Sequence, residues 1–268
     1  MSSRLLRRYV LPSDSHSFVA RIYDLSIVSF NFESYDEVLK HHDAKYVLDV
    51  NDVLSTLTQR VESLNMVGNM LWPEYMPDNF GQFPLSRYQW LTVSADVFLM
   101  RYISVVDCVM ILVNEVLEFG LAAKDCTVHR LKKCQTPKPL LNEIEGMVAD
   151  QGDLRAERNG RFHHGAERGF SSDDQTFRMA AQFEHHGRRL ADPKGRLLPV
   201  ERYFREGVIE LQREFNSTMR KLVRRLDRVY DILAPEFEFK FSPRFRAGAF
   251  APNQRHCNSG PMTGDQKK

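Results

Sequence analysis

The chain has 268 residues, of which 43% are hydrophobic and 27% are charged. This is the composition of a globular protein with enough apolar material for a core, and it excludes a disordered polyelectrolyte. The formal net charge of +2 excludes a general polycation.

The charge is distributed unevenly along the chain. Residues 1–154 contain 14 basic and 20 acidic side chains, whereas residues 155–228 contain 17 basic and 11 acidic ones. Fifteen of the 26 arginines lie in the second segment. Because the guanidinium fork matches phosphate geometry, this segment is the better candidate to bind a polyanion. Helix faces covered with solvated ion pairs would give the same composition.

The first residues, MSSRLLRRYVLPSDS, are basic but have no apolar stretch after them, so they predict no signal peptide. The longest apolar run, 103–113, is interrupted by Asp107 and is too short to span a bilayer. We therefore expect a cytoplasmic protein with no membrane partner. The cysteines have no CxxC spacing, which favours reduced thiols over a zinc site, and they are Cys108, Cys126, Cys134 and Cys257.

The first half of the chain shows mostly helical periodicity. Residues 17–40 give a mixed signal that fits a helix or a helix followed by a strand. Residues 46–71 carry an apolar stripe at helical spacing, and 86–121 predicts a second long helix. Between them, 72–86 contains three prolines and predicts an irregular loop.

The second half continues the helical pattern. Residues 125–139 have no clear stripe and predict a connection, after which a helix restarts near Pro139. A shorter helix is expected over 174–190, a turn over 191–199 and a long final helix over 200–234. The fold class predicted is therefore an all-α helical bundle. Its divisions are an N-terminal extension (1–45), a helical domain (46–242) and a disordered tail (243–268).

The segment LRAERNGRFHHGAERGF, residues 154–170, contains four arginines and two adjacent histidines. Within it, Arg158, Asn159 and His163 form an RNxxxH pattern. Histidine titrates near neutrality and can act as general base or acid, while arginine supplies donors to a phosphate whose charge increases in the transition state. These residue types suffice for RNA cleavage without a metal ion or cofactor. The looser pattern of Arg with His after four to six residues also fits Arg178 and His185.

The RNxxxH pattern, following a long helix and a shorter one, resembles the motif of HEPN domains (higher eukaryotes and prokaryotes nucleotide-binding). The resemblance implies an all-α domain that forms a homodimer and brings two motifs into one cleft. It also implies metal-independent endoribonuclease activity giving 2′,3′-cyclic phosphate and 5′-hydroxyl ends, often in a toxin or antiviral effector with an antitoxin or regulatory partner. The catalytic residues would be Arg158, Asn159 and His163. Because some members do not cleave RNA, a non-catalytic module binding nucleotides, RNA or protein is the alternative.

The helical spacing of the motif is a difficulty. Residues five apart on a helix are separated by about 140°, so Arg158 and His163 do not share a face. The length of the arginine side chain, a loosening of the helix at Gly160, or a second copy of the chain would each bring them together. His164 also has permitted spacing, but His163 is preferred because it completes the pattern.

Other side chains are candidates for supporting roles. Asp107 has apolar neighbours along the chain, so we expect a buried carboxylate that pairs with Arg158, or else the solvent edge of its helix. Arg155 and Arg161 are candidate RNA-backbone contacts or solvated charges. The histidine pairs at 41–42, 163–164 and 185–186 do not favour a metal site, since adjacent helical residues diverge by about 100°. The arginine face of the last helix fits either an RNA strand or a solvated surface.

Overall fold

The structure, a computed structural model, describes residues 6–74, 77, 79–165 and 167–245. Within these residues eight α-helices follow one another: α1 Ser17–Ser26, α2 Tyr35–Val38, α3 His42–Leu71, α4 Arg87–Leu117, α5 Val128–Lys133, α6 Lys138–His164, α7 Asp174–His185 and α8 Val200–Phe245. The described part of the chain contains no strand, only an isolated bridge between Ala191 and Leu197. The prediction of an all-α bundle is confirmed.

Four long helices, α3, α4, α6 and α8, surround the main hydrophobic core. Helices α3 and α4 run antiparallel, as two hydrogen bonds at their opposite ends show. The Tyr46 hydroxyl donates to the Val116 carbonyl oxygen at 2.8 Å, and the Trp90 indole nitrogen donates to the Met70 carbonyl oxygen at 3.3 Å. Helix α6 packs against both α4 and α8, and this packing determines which side of the motif faces solvent.

The N-terminal segment belongs to the same core. Leu11, Phe18 and Ile22 are at most 2% exposed and join the apolar cluster built by α3, α4 and α8. The Phe18 ring stacks on Tyr230 with centroids 5.8 Å apart. Of the two interpretations of 17–40, the helical one holds, because the described residues there form α1, a 3₁₀ turn and α2.

Local signals explain where α4 begins and ends. Ser86 and Gln89 form a capping box that satisfies the first free N–H groups of the helix. The helix ends at Leu117, before the predicted residue 121, because Glu118 adopts a left-handed conformation with φ of 55°. The Asn114 side chain then bonds to the backbone of Leu121 in both directions and closes the turn.

Two boundaries differ from the sequence prediction. The segment predicted as a connection contains α5, whose first turn is capped by the Thr127 side chain. Helix α8 extends past the predicted end at residue 234, although Pro235 and Pro243 each remove a backbone donor. Buried Phe237 and Phe241, which stack 5.5 Å apart, continue the apolar stripe and favour the extension. The rest of the predicted disordered tail, residues 246–268, lies outside the described residues.

Candidate active site on the sixth helix

Helix α6 consists of two halves that meet at Gly152. This glycine has φ of 38° and ψ of −123°, a conformation that side chains with a Cβ rarely adopt. All the buried residues of the helix precede it: Leu140, Leu141, Ile144, Met147 and Gln151. The second half, residues 153–164, follows a new direction after the kink and has no buried apolar side chain. The RNxxxH motif lies in this second half.

The motif residues occupy different sides of one continuous helix. Arg158 is half-buried, whereas Asn159, His163 and His164 are exposed. Helical dihedrals are kept at Gly160, so this glycine does not loosen the helix as one interpretation required. Asn159 and His163 share the solvent side, and Arg158 lies about 140° away from His163 around the axis. The two side chains therefore leave the helix on different faces.

Asp107 pairs with Arg155, which corrects the expectation that it is a buried partner of Arg158. The Arg155 guanidinium lies 3.7 Å from the Asp107 carboxylate and donates to the Gln151 amide oxygen at 2.9 Å. The Asp107 side chain is 43% exposed, so it is a surface carboxylate. Gln151 in turn donates to the Ile103 carbonyl oxygen of α4, which anchors α6 just before the break at Gly152.

Arg161 faces inward. Its side chain is only 6% exposed, and its guanidinium lies 2.5 Å from Asp96 of α4 and 3.5 Å from Glu157. A phosphate could reach Arg161 only if these ion pairs separated. The structure therefore places Arg161 in the attachment of the motif helix to α4, and a role as RNA-backbone contact receives no support from its position.

Arg168 extends the same network to α8. Its guanidinium lies 3.6 Å from Glu157 and 2.8 Å from Glu214. Burial alone would lower the pKa of Arg168, but the surrounding carboxylates raise it, with Glu214 contributing most. The guanidinium thus stays charged, and a chain of ion pairs from Asp96 to Glu214 fastens the end of α6 to both neighbouring helices.

Arg158 differs from the other three arginines of residues 154–170. Arg155, Arg161 and Arg168 each have at least one carboxylate within 4.0 Å. Arg158 has no hydrogen-bond or ion-pair partner among the residues that the structure describes. Arg158 is therefore the arginine of this segment best placed to bind an anion from outside the chain.

Arg178 and His185, the second match to the looser pattern, both make contacts within the fold. Arg178 pairs with Glu167 and lies over the Tyr88 ring at 5.8 Å. The His185 ring nitrogen Nδ1 lies 2.8 Å from the Phe80 carbonyl oxygen. Arg178 and His185 thus have structural partners, which distinguishes them from Arg158 and His163.

Exposed apolar side chains lie on α6 and on the outer face of α4. Phe162 is 45% exposed within the motif itself, and Met100 is 53% exposed on α4. Met100 is one turn from Asp96, the partner of Arg161, so it lies on the side of α4 that faces the motif half of α6. Large apolar side chains in such positions are available for contact with another molecule.

Sequence reasoning missed the network that holds the motif helix. The spacing of Glu157 and Arg161, four residues apart, was visible as a helical ion pair. The partners Asp96 and Glu214 lie 65 and 46 positions away from the arginines that they bind, and no local pattern indicates such contacts.

In the described ranges, no three His, Cys, Asp or Glu side chains are grouped so that they could hold a metal ion. Cys108 and Cys126 are buried free thiols, and burial raises the pKa of each. None of the described helices combines the length and the apolar character needed to cross a membrane.

Comparison with known proteins found no matching family model, no matching curated protein and no matching solved structure. The functional interpretation therefore depends on the chemistry of α6 and its neighbours.

Proposed function

We propose that the protein is a metal-independent endoribonuclease of the HEPN type, with its active site on the second half of α6. The observation that carries the proposal is the free state of Arg158. Among four clustered arginines it alone has no carboxylate partner in the described part of the chain, and the exposed His163 completes the motif. Cytoplasmic action as a toxin or antiviral effector, controlled by an antitoxin or regulatory protein, is the corresponding biological role.

Each motif residue has a chemical role in this proposal. Arg158 binds the scissile phosphate and stabilises the charge that develops as phosphorus becomes pentacoordinate. His163 either takes the proton from the ribose 2′-hydroxyl or gives a proton to the departing 5′-oxygen. Asn159, one turn before His163, positions the imidazole. The attacking 2′-oxygen forms a bond to phosphorus as the bond to the 5′-oxygen breaks, which leaves a 2′,3′-cyclic phosphate and a 5′-hydroxyl.

The proposed site is shared between two copies of the chain. Arg158 and His163 leave one helix about 140° apart, so the Arg158 of one copy is proposed to meet the His163 of the other rather than to reach round its own helix. The exposed Phe162 and Met100 supply apolar surface near the motif for such an association. His164, whose ring lies 6.4 Å from that of His163, would support the same site.

The first test is RNA cleavage in EDTA, with analysis of the product ends. We expect His163→Ala to lower the cleavage rate by about 10²–10⁴-fold, since it removes a general acid–base group. His129→Ala is the matched control, because His129 is an exposed histidine on α5. Its rate should equal that of the wild type, and both variants should keep the helical circular dichroism spectrum.

The alternative is a binding module that does not cleave RNA. Arg158 and His163 leave α6 on different faces, which favours this alternative, because binding does not require the two side chains to meet at one phosphate. RNA that is bound but left intact in EDTA, or cleavage that survives His163→Ala, would reject the ribonuclease assignment. The first result would support the binding module.

A further inference from the structure

Helix α8 has a continuous basic stripe on its exposed side. Between Glu210 and Asp227 every exposed residue is basic except one serine, and these residues are Arg213, Ser217, Arg220, Lys221 and Arg224. Their spacing of three, four and seven positions places them on one side of the helix. At about 1.5 Å per residue, the cations from Arg213 to Arg224 extend over about 16 Å. We call the four cations, Arg213, Arg220, Lys221 and Arg224, the α8 stripe.

Several acidic residues near the stripe pair with other arginines, whereas the exposed Asp227 bounds the stripe three positions after Arg224 and forms no ion pair with it. Glu214 binds Arg168 at 2.8 Å, and Glu206 is the partner of Arg202. Glu143 and Asp150 of α6 bind Arg225, which lies at the side of the stripe. No cation of the α8 stripe has a carboxylate partner among the residues that the structure describes.

The surroundings add to the positive potential. The Arg220 guanidinium lies 5.8 Å from the centre of the Tyr9 ring, an arrangement that fixes the side chain without neutralising it. Exposed Arg7 lies beside the helix, because its carbonyl oxygen accepts a hydrogen bond from the Asn216 side chain. A row of unneutralised charges on one side of a helix attracts a polyanion.

We propose that the α8 stripe binds single-stranded RNA through its phosphates. Three guanidinium groups and one ammonium group on the same side of a helix can contact several phosphates of one strand, and arginine is preferred for such contacts. A membrane surface fits less well, because an interfacial helix exposes apolar side chains beside its basic ones. Here the apolar side of α8 is buried in the core, including Phe215, Met219 and Leu222.

This surface is distinct from the motif on α6, and binding there does not depend on cleavage. A 2′-O-methyl RNA has no free 2′-hydroxyl to attack its phosphates, so it reports binding alone. RNA binding at the α8 stripe can therefore fail its test while the ribonuclease assignment holds. Binding can also be found where cleavage is absent.

The test is fluorescence anisotropy with a labelled 2′-O-methyl RNA of about 20 nucleotides, long enough for a single-strand binding site. The variant changes Arg213, Arg220, Lys221 and Arg224 to Gln. We expect its affinity to fall at least about tenfold at 0.1 M salt, and the slope of log affinity against log salt to decrease by about 2.8, or roughly 0.7 per phosphate contact. Single-stranded DNA of the same sequence should show a similar loss.

The matched control changes four exposed arginines that are ion-paired, namely Arg178, Arg196, Arg202 and Arg205. It alters the net charge equally, so it should keep affinity within about threefold if position matters more than total charge. Equal losses in the two variants, or no loss in the stripe variant, would overturn the proposal. Binding of the wild type to vesicles with anionic lipid but not to RNA would also overturn it.

Discussion

Arg158 and Arg161 lie three positions apart on α6 and have opposite environments. Arg161 is 6% exposed between Asp96 and Glu157, whereas Arg158 has no partner among the described residues. The same side chain therefore serves to attach a helix in one case and is available for a ligand in the other. A change at Arg161 should therefore affect mainly stability, and a change at Arg158 mainly activity.

At the residue scale we predict that Arg161→Ala destabilises the protein by about 1–3 kcal/mol, since it leaves partly buried carboxylates without their cation. Arg158→Ala should change stability by less than about 0.5 kcal/mol, as for a surface position without partners. Denaturant unfolding of the two variants measures the difference. Equal effects on the free energy of unfolding would contradict the division of roles between them.

The sequence indicated the candidate site only in part. RNxxxH is a local pattern and identifies Arg158, Asn159 and His163 without a structure. Burial of Arg161 depends on Asp96, which belongs to another helix, so the sequence left Arg161 open between an RNA contact and a solvated charge. The predicted partner of Asp107 was wrong by about one helical turn, because the ion pair forms with Arg155, three positions before Arg158.

At the element scale, the two halves of α6 differ in their anchors. The half before Gly152 has buried apolar side chains as well as the ion pairs of Glu143 and Asp150 with Arg225, whereas the half after it has no buried apolar residue and is held by ion pairs to Asp107, Asp96 and, through Glu157, Arg168. Gly152 makes this division possible, because its backbone conformation lets the helix change direction. The attachment of the motif half should consequently weaken with salt more than that of the first half, which also has buried apolar side chains.

We predict that Gly152→Ala lowers stability by about 1–3 kcal/mol, the cost of holding a residue with a Cβ in an unfavourable backbone region. A Cβ at this position would meet open space, so crowding makes no contribution. Gly160→Ala is the control, since Gly160 is helical and alanine is the better helix former there by about 0.5–1 kcal/mol. The melting temperature should therefore fall for Gly152→Ala and rise for Gly160→Ala. A fall for Gly160→Ala as large as that for Gly152→Ala would contradict this explanation.

Element boundaries were predicted well where the signal is local. The helix starts predicted near Ser86 and Pro139 are confirmed, and the structure shows a capping box at Ser86 and a proline in the first turn of α6. The predicted end of α8, residue 234, was wrong. Proline usually ends a helix, but here the tertiary packing of Phe237 and Phe241 outweighs that preference. Such packing involves Tyr46 of α3, which no pattern within α8 could indicate.

At the scale of the whole molecule, the bundle fixes the sides of α6 and α8 that face solvent. The all-α class followed from helical periodicity along most of the chain, and the structure confirms it. The division at residue 45 had no packing information behind it, and Phe18 and Ile22 show that α1 shares the main core. Periodicity predicts which side of a helix is apolar, but not which distant helix covers it.

The central claim is that Arg158 of one copy and His163 of another form one ribonuclease site. Mixing Arg158→Ala with His163→Ala protein tests it directly, because each variant alone lacks one half of every site. If subunits exchange at equal ratio, half of the dimers are mixed and each has one intact site, so about one quarter of wild-type cleavage should return. Cleavage that stays at the level of the separate variants, with subunit exchange demonstrated, would contradict the claim.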